Sequence, residues 1–158
     1  MDGRDSASLE ELAAGKENGP MKYALITGAS RGIGAAAARE FARRGWGVAV
    51  NYLSSRDGAE TLVRELSGMG VPALAVRADV ADRRQVQEMV DNVLEKFCQL
   101  DILVCNAGVS ETGLVSQIDE ERWRRLFTVN VDGVHHCCQA VLPHMIRRKA
   151  GSIVTVSS

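Results

Sequence analysis

A glycine-rich turn between a short apolar run and an amphipathic stretch constrains this chain more than any other feature. The run Lys22–Thr27 gives way to Gly28-Ala29-Ser30-Arg31-Gly32-Ile33-Gly34, and from Ile33 apolar residues recur at helical spacing. Glycines at such a junction admit positive backbone dihedrals and let main-chain N–H groups approach a phosphate at a helix amino terminus. The spacing is Gly-x-x-x-Gly-x-Gly, not the Gly-x-Gly-x-x-Gly of the common dinucleotide pattern. An ordinary strand-to-helix turn is the alternative, but strand, turn and helix occur in the order that a dinucleotide-binding unit requires.

The same alternation repeats along the chain. Gly47–Tyr52, Val71–Arg77, Leu100–Cys105 and Ser152–Ser157 read as four further strands. Between them Ile33, Ala37 and Phe41 share one helical face, Leu62, Leu66 and Met69 a second, and Val86, Met89, Val90, Val93 and Phe97 a third. These faces are expected to cover a sheet. A last helix is expected to start near Asp119, a suitable N-cap, and to run as one stripe through Val131, Val134, Cys138, Val141 and Met145 before Ala150-Gly151 breaks it. Alternating strands and helices with right-handed crossovers predict an α/β fold, a Rossmann-type doubly wound parallel sheet of order 3-2-1-4-5. Its ligands belong outside the carboxyl ends of the strands. Residues 1–20 lack a sustained apolar face and end in Asn18-Gly19-Pro20, so a flexible tail is expected before a dinucleotide-binding domain at 21–158.

Composition serves mainly to exclude. With 46% hydrophobic and 25% charged residues, the 158-residue chain reads as one globular domain. A formal net charge of −1 gives no broad attraction to nucleic acid or anionic membrane. No apolar run reaches the roughly 20 residues of a membrane span, and the amino terminus lacks a signal peptide's apolar stretch, so a cytoplasmic protein without nucleic-acid or membrane partners is expected. Cys98, Cys105, Cys137 and Cys138 lack Cys-x-x-Cys spacing and read as reduced thiols. His135-His136-Cys137-Cys138 are consecutive on a helix and point around it, so no metal site is expected there.

Thr27 to Gly34 resembles the Thr-Gly-x-x-x-Gly-x-Gly segment of the short-chain dehydrogenase/reductase family, and further matches follow in order. Asp79-Val80 ends the third strand where that family places an adenine-contacting acid. Asn106-Ala107-Gly108 is similar to the family's Asn-Asn-Ala-Gly, with Cys105 replacing the first asparagine. Asn130 falls where the family has its catalytic asparagine, and Ser158 ends Gly-Ser-Ile-Val-Thr-Val-Ser-Ser as the family's catalytic serine does. The resemblance implies NADP(H) contacts at Gly28, Ser30, Arg31, Gly32, Ile33, Gly34, Tyr52, Ser54, Asp79, Val80, Asn106, Ala107 and Gly108, with Asn130 and Ser158 catalytic. Singly, Asp79 reads better as a helix-capping acid, Asn130 as a satisfied buried amide and Ser158 as an exposed strand end. Together they gather where a doubly wound fold places ligands.

Charge separates the two forms of the cofactor. An acid near the end of the second strand suits the ribose 2′-hydroxyl of NADH, and an arginine suits the 2′-phosphate of NADPH. Tyr52 stands 18 positions after Gly34, followed by Leu53, Ser54 and Ser55 with no acid before Asp57, while Arg31 lies in the turn. NADPH is therefore expected. The resemblance implies hydride transfer to a carbonyl, with a tyrosine donating the proton from a Tyr-x-x-x-Lys pair. Neither Tyr23 nor Tyr52 has a lysine four residues on, so the chain is expected to be the amino-terminal part of a longer enzyme and inactive alone. Within the family, Pro143–Lys149 is similar to 3-oxoacyl-acyl-carrier-protein reductases and to elongation factor P 5-aminopentanone reductases. This implies a small-molecule or carrier-protein-bound ketone as substrate, and a homo-oligomeric parent. The basic cluster Arg147-Arg148-Lys149 is either a carrier-docking patch or a helix terminus complementing its macrodipole. Two other readings are a sugar-nucleotide epimerase or dehydratase, for which a differently spaced glycine turn is expected, and a non-catalytic dinucleotide sensor.

Overall fold

Five apolar runs form the strands β1 (Tyr23–Ile26), β2 (Gly47–Tyr52), β3 (Ala73–Arg77), β4 (Ile102–Cys105) and β5 (Ser152–Thr155). They pair in the order β3-β2-β1-β4-β5, every neighbour parallel, as the sequence pattern predicts. The structure is a computed structural model and describes residues 20–157. Residues 1–19, nearly all of the expected tail, and Ser158 lie outside the described residues.

Alternation along the strands sends successive side chains to opposite faces and divides the core in two. Ala24, Ile26, Val48, Val50 and Val104 pack with α1 (Gly32–Arg43) and α2 (Arg56–Gly68). Leu25, Ala49, Leu103 and Cys105 pack with α3 (Arg83–Phe97) and α5 (Gly133–Arg148). The α3 stripe Val86, Met89, Val90, Val93 and Phe97 is wholly buried, as expected. Each such side chain contributes roughly 1.5–3 kcal/mol relative to exposure.

Two helical faces differ from expectation. In α1 the buried residues are Gly34, Ala35, Ala38 and Ala42, while Ile33 is 68% exposed and Ala37 and Phe41 are partly buried. Small side chains let α1 lie close on β1 and β2, so the sheet-facing stripe is the alanine one and the bulkier residues fall beside it. In α2, Leu62 and Leu66 are buried but Met69, just past the helix, is not.

The last helix is not one regular stripe. Asp119 caps α4 (Glu120–Phe127) by accepting the N–H of Arg122, as predicted. A π-helical turn at Thr128–Asp132 then joins α4 to α5. The wider turn shifts the helical phase, so Val131 is 54% exposed while Cys137, Val141 and Met145 face the core.

The carboxyl end of α5 is pinned to the amino end of β4. Arg148 donates to Leu100 O and Asp101 Oδ1, both at 2.9 Å. His144 Nε2 accepts the Leu100 N–H at 3.2 Å. Arg148 is thus a structural strut, and its basic cluster sits at the end of the sheet opposite the crevice. That position counts against a carrier-docking role in delivering substrate to the crevice. Among the described residues, no helix is long and apolar enough to cross a membrane.

Candidate functional site

The turn after β1 is held from both sides. On one side Thr27 Oγ1 accepts the N–H groups of Asn106 and Ala107, each at 2.9 Å. Asn106 Nδ2 returns bonds to Thr27 O at 2.9 Å and Gly28 O at 3.2 Å. On the other, Asn51 Oδ1 accepts the Gly28 N–H at 3.0 Å, and its Nδ2 donates to Val76 O and Ala78 O. Among the described residues Thr27 and Asn51 are the buried polar ones, each 1% exposed; Thr27 ties the turn to the loop after β4, and Asn51 ties it to the end of β3.

The glycines have different duties. Gly28 adopts φ +62°, and a Cβ there would stand 2.8 Å from Ala107 Cα. At Gly34 a Cβ would meet Asn106 Nδ2 at 2.5 Å, so both positions serve the close approach of the turn to the loop after β4. Gly32, with φ +59°, has nothing within 4 Å of its Cβ position and opens onto a cleft.

That cleft holds about 750 Å³ at the carboxyl ends of the strands. Of the residues expected to contact a cofactor, Gly28, Ser30, Arg31, Gly32, Ile33, Ser54, Asp79, Val80, Asn106, Ala107 and Gly108 line it. Gly34 and Tyr52 do not. Gly34 is buried in the packing just described, and Tyr52 is buried in the core with the α1 and α2 residues. The Asp79 carboxylate accepts the Ala81 N–H at 2.9 Å, which ties it into the bend after β3.

Asn130 lies in the π-helical turn and outside the cleft lining. Its Oδ1 accepts the Val109 N–H at 2.9 Å and its Nδ2 donates to Val109 O at 2.8 Å, clamping the loop after β4. Cys105, at the start of that loop, is buried; its hydrogen bond with Cys137, and then burial, hold its thiol far above the ordinary range.

Sequence reasoning missed Asn51 and the whole far wall, formed by Arg125, Thr128 and Val129. Asn51 gave a signal: it is an amide closing the apolar run Val48-Ala49-Val50. The far wall gave none, because the phase shift at Thr128–Asp132 is what aims it.

Residues 22–158 match the family model described as short chain dehydrogenase. The chain is 42% identical over 137 residues to a 3-oxoacyl-[acyl-carrier-protein] reductase of Staphylococcus epidermidis, covering 87% of this chain and 56% of that protein. It superposes with TM-score 0.82 on a 3-ketoacyl-ACP reductase from Sinorhizobium meliloti, at 35% identity over 86% of this chain and 53% of the other. A short chain dehydrogenase from Burkholderia cenocepacia in complex with NADP gives TM-score 0.81 at 38% identity, over 87% of this chain and 55% of that one. The chain thus spans about half the length of the relatives it matches.

Proposed function

The chain belongs to the short chain dehydrogenase family, and from that premise we propose that it binds NADP(H) in the cleft and that the whole protein reduces a carbonyl to an alcohol. The substrate class is a 3-oxoacyl thioester on a carrier protein, or a related small ketone. The similarity to 3-oxoacyl reductases supports that class.

The observation that carries the reading is the chemistry of the cleft beside β2. Leu53, Ser54 and Ser55 line it there with no carboxylate, and Arg31 lines it from the turn. Asp79, its one acid, is engaged by Ala81. A guanidinium and two hydroxyls suit a 2′-phosphate. The turn fits the pyrophosphate equally well. Arg31 is the N-cap of α1 and makes no side-chain bond to the helix, so the first N–H groups of α1 have no side-chain cap, beside an open Gly32.

Bound NADPH supplies a hydride to the carbonyl carbon. The chain's own residues bind and orient. Thr27 and Asn106 lock the turn against the loop after β4, and Asn130 acts as a positioning residue by holding Val109. Ser158 is assigned to donate a hydrogen bond to the carbonyl oxygen, where negative charge develops.

Titration of the chain with NADPH and NADH tests the cofactor assignment. Arg31→Ala is expected to weaken NADPH by about 10- to 100-fold, the loss of a charge-assisted contact, and to leave NADH nearly unchanged. Equal losses for the two would refute phosphate reading by Arg31. Consumption of NADPH by the whole protein with a 3-oxoacyl thioester tests the substrate class.

A further inference from the structure

Arg125 stands apart among the residues of the cleft. Its neighbours on α4 are paired, Arg122 with Glu111 and Arg124 with Glu120. Arg125 is exposed, lines the cleft wall contributed by α4, and has no such partner among the described residues.

The geometry of a bound dinucleotide says what this side chain faces. With the pyrophosphate at the glycine turn, the ribose beside the end of β2 belongs to adenosine, and the base lies beyond it towards the end of β3. The cleft there is largely apolar: Val80 and Ala81 follow β3 and Val129 comes from the π-helical turn, with Thr128 beside it and the Asp79 carboxylate tied back to the Ala81 N–H. Val80 is pressed against the helix that continues from this turn. A Cβ on Gly133 would come within 2.8 Å of Val80 Cγ2, and His136 Nδ1 lies 3.1 Å from Val80 O. Arg125 and Val129 both line the cleft, Val129 half-buried and Arg125 exposed on the α4 side, so Arg125 stands at the rim of this slot. A planar cation at the rim of a largely apolar slot matches a flat aromatic base, on whose face a guanidinium stacks.

We propose that Arg125 covers the adenine of the bound dinucleotide, its guanidinium lying on the face of the base and closing the slot from the α4 side. The proposal rests on the reading of the cleft as an NADP(H) site. It assigns Arg125 a duty unlike that of Arg31, because the base is common to NADPH and NADH and the 2′-phosphate is not.

The test titrates the 158-residue chain and its Arg125→Ala and Arg125→Lys variants with NADPH, NADH and nicotinamide mononucleotide. Arg125→Ala is expected to weaken NADPH and NADH by the same factor, about 3- to 10-fold, and to leave the mononucleotide and the ligand-free thermal transition unchanged. Arg125→Lys is expected to recover only part of the loss, since an ammonium has no stacking plane. A loss confined to NADPH would mean a phosphate contact and overturn the proposal, as would no loss at all. Failure of the unsubstituted chain to bind NADPH would instead bring down the cleft assignment and this inference with it.

Discussion

Asn51 concentrates three demands in one buried residue. Its amide oxygen fixes Gly28, its amide nitrogen satisfies two carbonyls at the end of β3, and its own carbonyl accepts the Ala29 N–H at 2.8 Å. Removing the amide strands polar groups inside the core, which costs about 1–3 kcal/mol. Asn51→Ala is therefore expected to lower stability by that amount in urea unfolding and also to weaken NADPH, because the phosphate turn loses its anchor. Asn51→Asp is expected to be worse, since it sets a carboxylate against the carbonyls of Val76 and Ala78. Destabilised variants that keep full NADPH affinity when folded would show that the turn holds its shape without this residue.

The elements were legible in the sequence where a single period governed them. The α3 stripe and all five strands could be read from spacing alone, and Asp119 from its capping chemistry. What was hidden follows from two physical causes. In α1 the closest packing is made by alanines, whose weak hydropathic signal loses to Ile33 and Phe41 in any pattern count. At Thr128–Asp132 the change of period cannot be seen in a run of ordinary helical residues, so the spacing places Val131 in the core and gives no sign of the far wall of the cleft. The docking of α5 carries its own prediction. Burial pushes the His144 imidazole below its ordinary value, with Arg148 and Arg147 acting the same way and Asp101 opposing. The neutral ring accepts the Leu100 N–H, so its contribution is complete above the unfolded value, near about pH 6.5, and is lost as pH falls through the lower folded value. Between about pH 7.5 and 5.5 the melting temperature is expected to fall further in the unsubstituted chain than in His144→Gln, which accepts without titrating. Parallel profiles would remove His144 as the source of the acid sensitivity.

Across the whole molecule the two ends of the sheet are built differently. The amino end is sealed by protein groups, with Arg148 and His144 of α5 on Leu100 and Asp101, and Tyr23 N–H donating to Asp101 Oδ2 at 2.8 Å. The carboxyl end is open and gathers its walls from the turn after β1, the ends of β2 and β3, the loop after β4 and the far wall around Arg125. These segments are distant in sequence and meet only in the folded state, so a ligand spanning them binds the native chain and not the unfolded one. Such a ligand adds about 2.7 kcal/mol at a hundred times its Kd, which for a domain of this size raises the melting temperature by several degrees. NADPH is expected to give that shift, NADH a smaller one at equal concentration, and nicotinamide mononucleotide almost none, because it leaves the β2 and β3 walls unbridged. In Arg31→Ala the NADPH and NADH curves are expected to converge. Thermal scans of both proteins against the three ligands decide the matter: an unmoved transition with NADPH, or a mononucleotide shift as large as the dinucleotide's, would mean that this cleft is not where the cofactor binds.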